Sequence, residues 1–183
     1  MLTFIAHLTQ SVFHFNHNLL LAGSMLTAAT TITSCSNQNK AHEAAAATAQ
    51  NDSIEARQMA KEETFLAQKA KEPGVQSLGG GLLYKVLRAG NGAQPTSTSM
   101  VTVDYEGKLI DGTIFDSSYQ RGEPASFPVS GVVAGWQIAL KAMHVGDEWE
   151  VYIPQYLGYG ANGTGNIPPY STLIFRISLK SVE

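Results

Sequence analysis

The chain has 183 residues, 44% of them hydrophobic, and a formal net charge of −3. This length is enough for one domain of about 100–150 residues with extensions. Acids and bases are nearly balanced and interspersed, which excludes a basic phosphate-binding surface, so we expect no nucleic-acid partner.

The only cysteine, Cys35, lies between an apolar and a polar segment. Residues 19–26 are mostly apolar, Ile-Thr-Ser precedes the cysteine, and residues 36–39 are polar. This order resembles a bacterial lipoprotein signal, although no Lys or Arg precedes it. An uncleaved anchor and a buried thiol are the alternatives, but threonines and serines dilute the stretch below what a spanning helix needs.

We therefore predict a signal peptide at residues 1–34 and lipidation at Cys35. The lipid would anchor the protein to the inner or outer membrane of the cell envelope, with the globular part in the periplasm. A single cysteine also excludes an internal disulfide framework and a cysteine-rich metal site.

A helical segment is predicted between the cysteine and the globular part. From Lys40 to about Gln50 the chain is Ala-rich, a composition that favours helix but offers nothing large to bury, so residues 35–50 are predicted to form a flexible tether. A better helix is predicted at residues 52–71, with Asp52 as N-cap and Glu55 in capping-box position. Residues 51–76 thus form a helical segment and linker. The thin apolar stripe leaves open whether this helix packs on the next domain, forms a homodimer or is a solvated spacer.

After Gly81 the apolar period changes from helical to two, which predicts strands. Asp111 and Gly112 predict a hairpin with a type I′ turn. One short amphipathic helix is predicted at residues 133–143. Alternating apolar residues mark the strands at 82–87, 101–105, 113–117, 149–153 and 173–179. For residues 77–183 this pattern predicts an α+β fold, with an antiparallel sheet wrapped around one helix.

Ordinary catalytic groups are scarce in the sequence. After the predicted signal only His42 and His144 remain, and neither adjoins a plausible nucleophile. Isolated carboxylates show no metal-ligand spacing, and no Gly-rich loop with a lysine indicates a nucleotide. We expect chemistry without metal, cofactor or covalent intermediate. The aromatic residues beside glycines and turns are by composition alone typical of a core.

Five motifs in order give these aromatics another interpretation. Residues 103–118 contain a Tyr-x-Gly, an Asp-Gly turn and a Phe-Asp-Ser-Ser. The others are Val-Val-Ala-Gly-Trp at 132–136, Met-His-Val-Gly-Asp at 143–147, Gly-Tyr-Gly at 158–160 and Ile-Pro-Pro-x-x-x-Leu-x-Phe at 167–175. This series resembles the FKBP-type peptidyl-prolyl cis-trans isomerases (rotamases). The order of signal, helical segment and C-terminal domain resembles the macrophage-infectivity-potentiator-like proteins of bacterial envelopes.

The resemblance implies a pocket that catalyses rotation about Xaa-Pro bonds and assists the folding of exported, proline-containing polypeptides. It implies catalytic roles for Asp116, Trp136, Tyr159 and Phe175. A carboxylate beside aromatic rings needs a partner, and Arg121 and the Tyr105 hydroxyl are the candidates that the sequence offers for Asp116. It implies substrate contacts for Tyr105, Phe115, Arg121, Phe127, Val132, Val133 and Ile167. Ala125 stands where the family often has an aromatic, and the loop at 162–166 is shorter and more polar, which bears on substrate preference and affinity for macrolide inhibitors.

Two other functions are compatible with the same residues: a peptide-binding chaperone without turnover, and an assembly lipoprotein whose helix binds a partner. Every residue of the implied pocket lies after Gly81. We therefore expect the helix at 52–71 to matter only for large clients or for dimerisation.

Overall fold

The computed structural model describes residues 33–183. The predicted signal peptide, residues 1–34, lies outside this range apart from its last two residues, and lipidation of Cys35 stays a prediction. By internal contacts the chain divides into Met1–Ala41 and His42–Glu183. The second of these units contains the sheet and the pocket described below.

The first element is a single long helix, α1, at Thr33–Lys69. Two predictions about this segment were wrong. Residues 35–50 are helical and do not form a flexible tether, and Asp52 lies inside the helix and is not its N-cap. Alanine has the highest helix propensity, so residues 44–47 continue the helix without burying anything large. Within residues 33–183 no helix is both long and apolar enough to cross a membrane.

An antiparallel sheet of seven strands follows the helix. Its strands are β1 Val75–Gly79, β2 Leu82–Arg88, β3 Met100–Lys108, β4 Ile114–Ser117, β5 Ala125–Pro128, β6 Glu148–Ile153 and β7 Leu173–Val182. The order across the sheet is β1-β2-β6-β7-β3-β4, and β5 also pairs with β3. Two helices, α2 at Ser118–Arg121 and α3 at Ala134–Ala142, complete the domain. The predicted α+β fold is confirmed, while β1 begins inside the segment interpreted as linker.

The inner face of the sheet packs on α3, as the helical spacing predicted. Trp136, Ala139, Leu140 and Met143 are all buried there with residues of β3, β6 and β7. Gly135 makes this approach close, because a Cβ atom at this position would lie 2.4 Å from Cγ2 of Ile153.

The outer face packs on α1. Leu83, Tyr152 and Ile174 form a second buried cluster, and Phe65 and Leu66 of the helix pack against it. The rings of Phe65 and Tyr152 meet edge to face at 6.2 Å. Of the alternatives for this helix, packing on the domain is therefore the one observed.

The β3–β4 hairpin is present, but its turn is not type I′. A type I′ turn needs positive φ at both central residues, and here Gly112 has φ +88° while Asp111 does not have positive φ. The Gly112 N–H donates to the Leu109 carbonyl at 3.0 Å, and the Leu109 N–H to the Thr113 carbonyl at 2.9 Å. The Asp111 side chain accepts a hydrogen bond from the Thr113 N–H at 2.9 Å and so stabilises the loop. Of the two central residues, only Gly112 has the positive φ that turns the chain back.

We predict that Gly135→Ala lowers the free energy of unfolding by about 1–3 kcal/mol, because the added methyl group overpacks the contact with Ile153. Glycine to alanine within a helix otherwise stabilises. Denaturant unfolding measures the change, with Lys141→Ala on the exposed side of α3 as the control. Unchanged or higher stability of Gly135→Ala would contradict the packing described.

Candidate active site

A cavity of about 510 Å³ opens between the sheet, the start of α3 and the loop at residues 159–167. All predicted pocket residues except one line it, namely Tyr105, Phe115, Asp116, Phe127, Val132, Val133, Trp136, Tyr159, Ile167 and Phe175. The exception, Arg121, contacts two of these residues, Asp116 and Tyr105. The structure thus brings together residues that are up to 70 positions apart in the sequence.

The floor of the cavity is the indole ring of Trp136, which is 4% exposed. The rings of Phe175, Tyr105 and Phe127 surround it, with centroids at 5.1, 5.3 and 6.0 Å and nearly perpendicular planes. Such edge-to-face contacts are the preferred geometry of aromatic pairs. The three rings thus hold the indole in place as an apolar surface at the bottom of the cavity.

Gly107 makes room for the rings of Phe115 and Phe175, and it was not predicted as a site residue. A Cβ atom there would lie 2.6 Å from the rings of both Phe115 and Phe175, which meet edge to face at 5.4 Å. A side chain at position 107 would displace the rings that line the cavity. The Tyr-x-Gly motif at 105–107 was the signal in the sequence for this role.

One polar network borders the apolar floor. The Tyr105 hydroxyl donates to the Asp116 carboxylate, Arg121 forms an ion pair with the same carboxylate, and Arg121 Nη2 donates to the Tyr105 oxygen at 3.0 Å. These are the two partners that the sequence offered for Asp116. A carboxylate beside aromatic rings is costly unless it is paired, so the network allows Asp116 to stay there.

The network also decides the charge state of its members. Partial burial alone would raise the pKa of Asp116, but the hydrogen bonds from Tyr105 and Arg121 and the positive charge of Arg121 outweigh it, and the net pKa is lowered. Burial, and then the hydrogen bond to Asp116, raises the pKa of Tyr105. At neutral pH the carboxylate is therefore ionised and the phenol is protonated.

The rim of the cavity is a compact loop. Tyr159 at its start is 40% exposed, whereas Ile167 at its end is buried. Thr164 and Ile167 exchange backbone hydrogen bonds of 2.9 and 2.7 Å, which close the loop. Gly131, Thr164, Gly165 and Asn166 also line the cavity and were not predicted as site residues. The residues from 33 to 183 contain no group of three or more His, Cys, Asp or Glu that could hold a metal ion.

Comparison with known protein families gives two adjacent matches. Residues 91–180 match the family described as FKBP-type peptidyl-prolyl cis-trans isomerase. Residues 4–86 match the domain found amino-terminal to such isomerases. The two matches follow each other in the same order as the helical segment and the C-terminal domain that the sequence predicted.

Two curated relatives are similar over about two thirds of the chain. The peptidyl-prolyl cis-trans isomerase Mip of Coxiella burnetii is 52% identical over 124 residues, 67% of this chain and 54% of that protein. The outer membrane protein MIP of Legionella longbeachae is 48% identical over 125 residues, 68% of this chain and 54% of that protein. The chain spans about half the length of these curated relatives.

A solved structure extends the likeness to the fold. The crystal structure of FkpA from Escherichia coli superposes with a TM-score of 0.72 and 39% identity, and the match covers 84% of this chain and 74% of that one. The chain belongs to the family of FKBP-type peptidyl-prolyl cis-trans isomerases.

Proposed function

We propose that the protein catalyses cis-trans isomerisation of Xaa-Pro bonds and so assists the folding of exported polypeptides. The observation that carries the proposal is the aromatic cavity with Trp136 as its floor, which is shaped to accept a proline ring. Uncatalysed isomerisation takes tens of seconds or more, which is slow enough to limit folding.

The apolar surroundings account for catalysis without a cofactor. Amide resonance gives the C–N bond a rotational barrier of about 18–20 kcal/mol and places partial charges on oxygen and nitrogen. The twisted transition state has lost most of this resonance and is less polar. A cavity walled by Phe115, Trp136 and Phe175 therefore binds the twisted amide better than the planar one.

Polar groups at the border orient the substrate. The Tyr159 hydroxyl at the rim donates to a substrate carbonyl and holds one side of the peptide while the other side rotates. Asp116 is held by Tyr105 and Arg121, so its negative charge has a fixed position beside the cavity. From there it interacts with the carbonyl carbon of the twisted bond.

A protease-coupled assay on a short Xaa-Pro peptide tests the proposal. Faster conversion of the cis peptide with the protein than without it supports an isomerase. Suppression of aggregation of an unfolded client without any acceleration of the peptide would instead assign the cavity to a chaperone that only binds proline-containing segments.

We predict that Tyr159→Phe lowers kcat/KM by roughly two- to tenfold, since one hydrogen bond contributes about 0.5–1.5 kcal/mol. The ring remains, so the fold is expected to be unaffected. Tyr156→Phe is the matched control, because that hydroxyl donates to the Gly80 carbonyl at 3.0 Å and lies outside the cavity. A folded Tyr159→Phe variant at the uncatalysed rate would contradict a purely orienting role.

The charge states predict a flat pH–rate profile between about pH 6 and 8, because Asp116 titrates below the usual carboxyl pKa and Tyr105 above the usual phenol pKa. Asp116→Asn is expected to lower turnover moderately at every pH in this range and to leave the profile flat. A bell-shaped profile centred near neutrality would show that general acid–base catalysis is required.

The cell envelope is the proposed location. The sequence Ile-Thr-Ser-Cys ending at Cys35, which resembles the end of a lipoprotein signal, supports a lipid anchor. One similar protein, from Legionella longbeachae, is named an outer membrane protein. The exposed side chains of Ile54 and Met59 on α1 support a homodimer through this helix. Sedimentation equilibrium of the lipid-free protein tests the dimer.

We predict that Cys35→Ala moves the protein from the membrane fraction to the soluble fraction, because lipidation needs the thiol. Ser36→Ala, one residue further on, is the control and is expected to stay with the membrane. Mass spectrometry of the wild-type protein is expected to find a lipidated Cys35 at the mature N-terminus. An intact N-terminus ahead of this residue, or membrane retention of Cys35→Ala, would exclude the anchor.

A further inference from the structure

A buried carboxylate connects α1 to the domain. Glu62 is 4% exposed, although most charged residues of this helix are exposed. Its Oε2 atom accepts from the backbone N–H of Thr172 at 2.9 Å, and its Oε1 atom accepts from the Gln58 amide. Thr172 is itself buried, so its N–H depends on this carboxylate for a hydrogen bond.

A second contact holds a residue with unfavourable backbone geometry. Tyr170 has φ +59° and is the only non-glycine residue between 33 and 183 with positive φ. Its hydroxyl donates to Glu55 Oε2 at 2.9 Å, and its N–H donates to the Gly160 carbonyl at 2.9 Å. The contacts around Tyr170 must offset the free-energy cost of this backbone conformation, and one of these contacts is the hydrogen bond to Glu55 of α1.

These contacts lead directly to the rim of the cavity. Gly160 follows Tyr159 in the chain, while Tyr170 follows Ile167 through two prolines that restrict the backbone. At Gly163 a Cβ atom would lie 2.3 Å from the Ile167 carbonyl oxygen, so the loop between is tightly packed. A displacement of Tyr170 is therefore passed to both lining residues, Tyr159 and Ile167.

We infer that α1 holds the rim of the substrate pocket in its binding conformation, with Glu62 and Glu55 as positioning residues. The inference rests on the proposed isomerase function and adds a determinant of substrate binding to it. It differs from the expectation from the sequence that the helix matters only for large clients or for dimerisation, and the experiment below decides between the two. Neither glutamate lines the cavity, so both act through the segment 170–172.

The test compares three variants of the full chain on a short Xaa-Pro peptide. Glu62→Ala removes the acceptor for Thr172 and is expected to raise KM by about 3–10-fold with kcat per folded molecule within about twofold, since the rim contributes binding. Glu62→Gln keeps an acceptor oxygen and is expected to stay close to wild type. Glu63→Ala is the matched control, because its side chain is the exposed neighbour on the same helix.

Exchange NMR at several peptide concentrations separates KM from kcat. A merely structural role of Glu62 would reduce the folded fraction and leave KM unchanged. An unchanged KM in a folded Glu62→Ala variant would overturn the inference. If that variant does not fold, Tyr170→Phe removes only the hydroxyl that binds Glu55, and an increase of about twofold in KM over wild type supports the inference. Wild-type KM in Tyr170→Phe would overturn it.

Hydrogen exchange gives a readout that does not depend on activity. The amides of Tyr170 and Thr172 are expected to exchange faster in Glu62→Ala than in Glu63→Ala, while the amide of Val103 in the middle of the sheet stays protected in both. If the wild-type protein has no isomerase activity, the proposed function fails, and this measurement still decides whether α1 holds the rim. Equal exchange of the two amides in both variants would overturn the inference.

Discussion

The position of the pocket floor depends on the close contact between α3 and β6. Because Gly135 has no side chain, the helix lies against Ile153, and the next residue, Trp136, is directed into the concave face of the sheet. The rings of Tyr105, Phe127 and Phe175 then pack around the indole. The shape of the cavity therefore depends on glycine at positions 135 and 107 as well as on the aromatic rings.

The negative charge of Asp116 is tolerated at the border of this apolar surface because the carboxylate is paired. Asp116 is bound by a phenol and a guanidinium, and these keep it ionised despite partial burial. The same contacts fix Tyr105 as a wall of the cavity. Structural support of the pocket and its electrostatic field therefore come from one network, so a change in any member affects both.

Residues 172–175, at the start of strand β7, connect the two faces of the sheet. The Thr172 N–H binds Glu62 of α1, Ile174 is buried on the outer face near the same helix, and Phe175 lies in the cavity. Period-two alternation places adjacent side chains on opposite faces. The outer helix and the inner pocket consequently share a strand, although α1 contributes no atom to the cavity.

Much of this protein was determined by the sequence alone. Period-two alternation and helical spacing are local properties, so they predicted β2, β3, β4, β6, β7 and α3. The ordered motifs, with the resemblance that they carry, predicted the aromatic residues of the cavity. The sequence also offered both partners of Asp116.

Tertiary structure decided what depends on neighbours distant in sequence. Val75–Gly79 forms a strand only because β2 pairs with it. The turn at Asp111 is a local exception, since it follows from hydrogen bonds among Leu109, Gly112 and Thr113 and not from the Asp-Gly pair alone. The burial of Glu62 could not be predicted from the sequence, because its partner Thr172 is 110 residues away. That partner offers only a backbone N–H, which no pattern of side chains indicates.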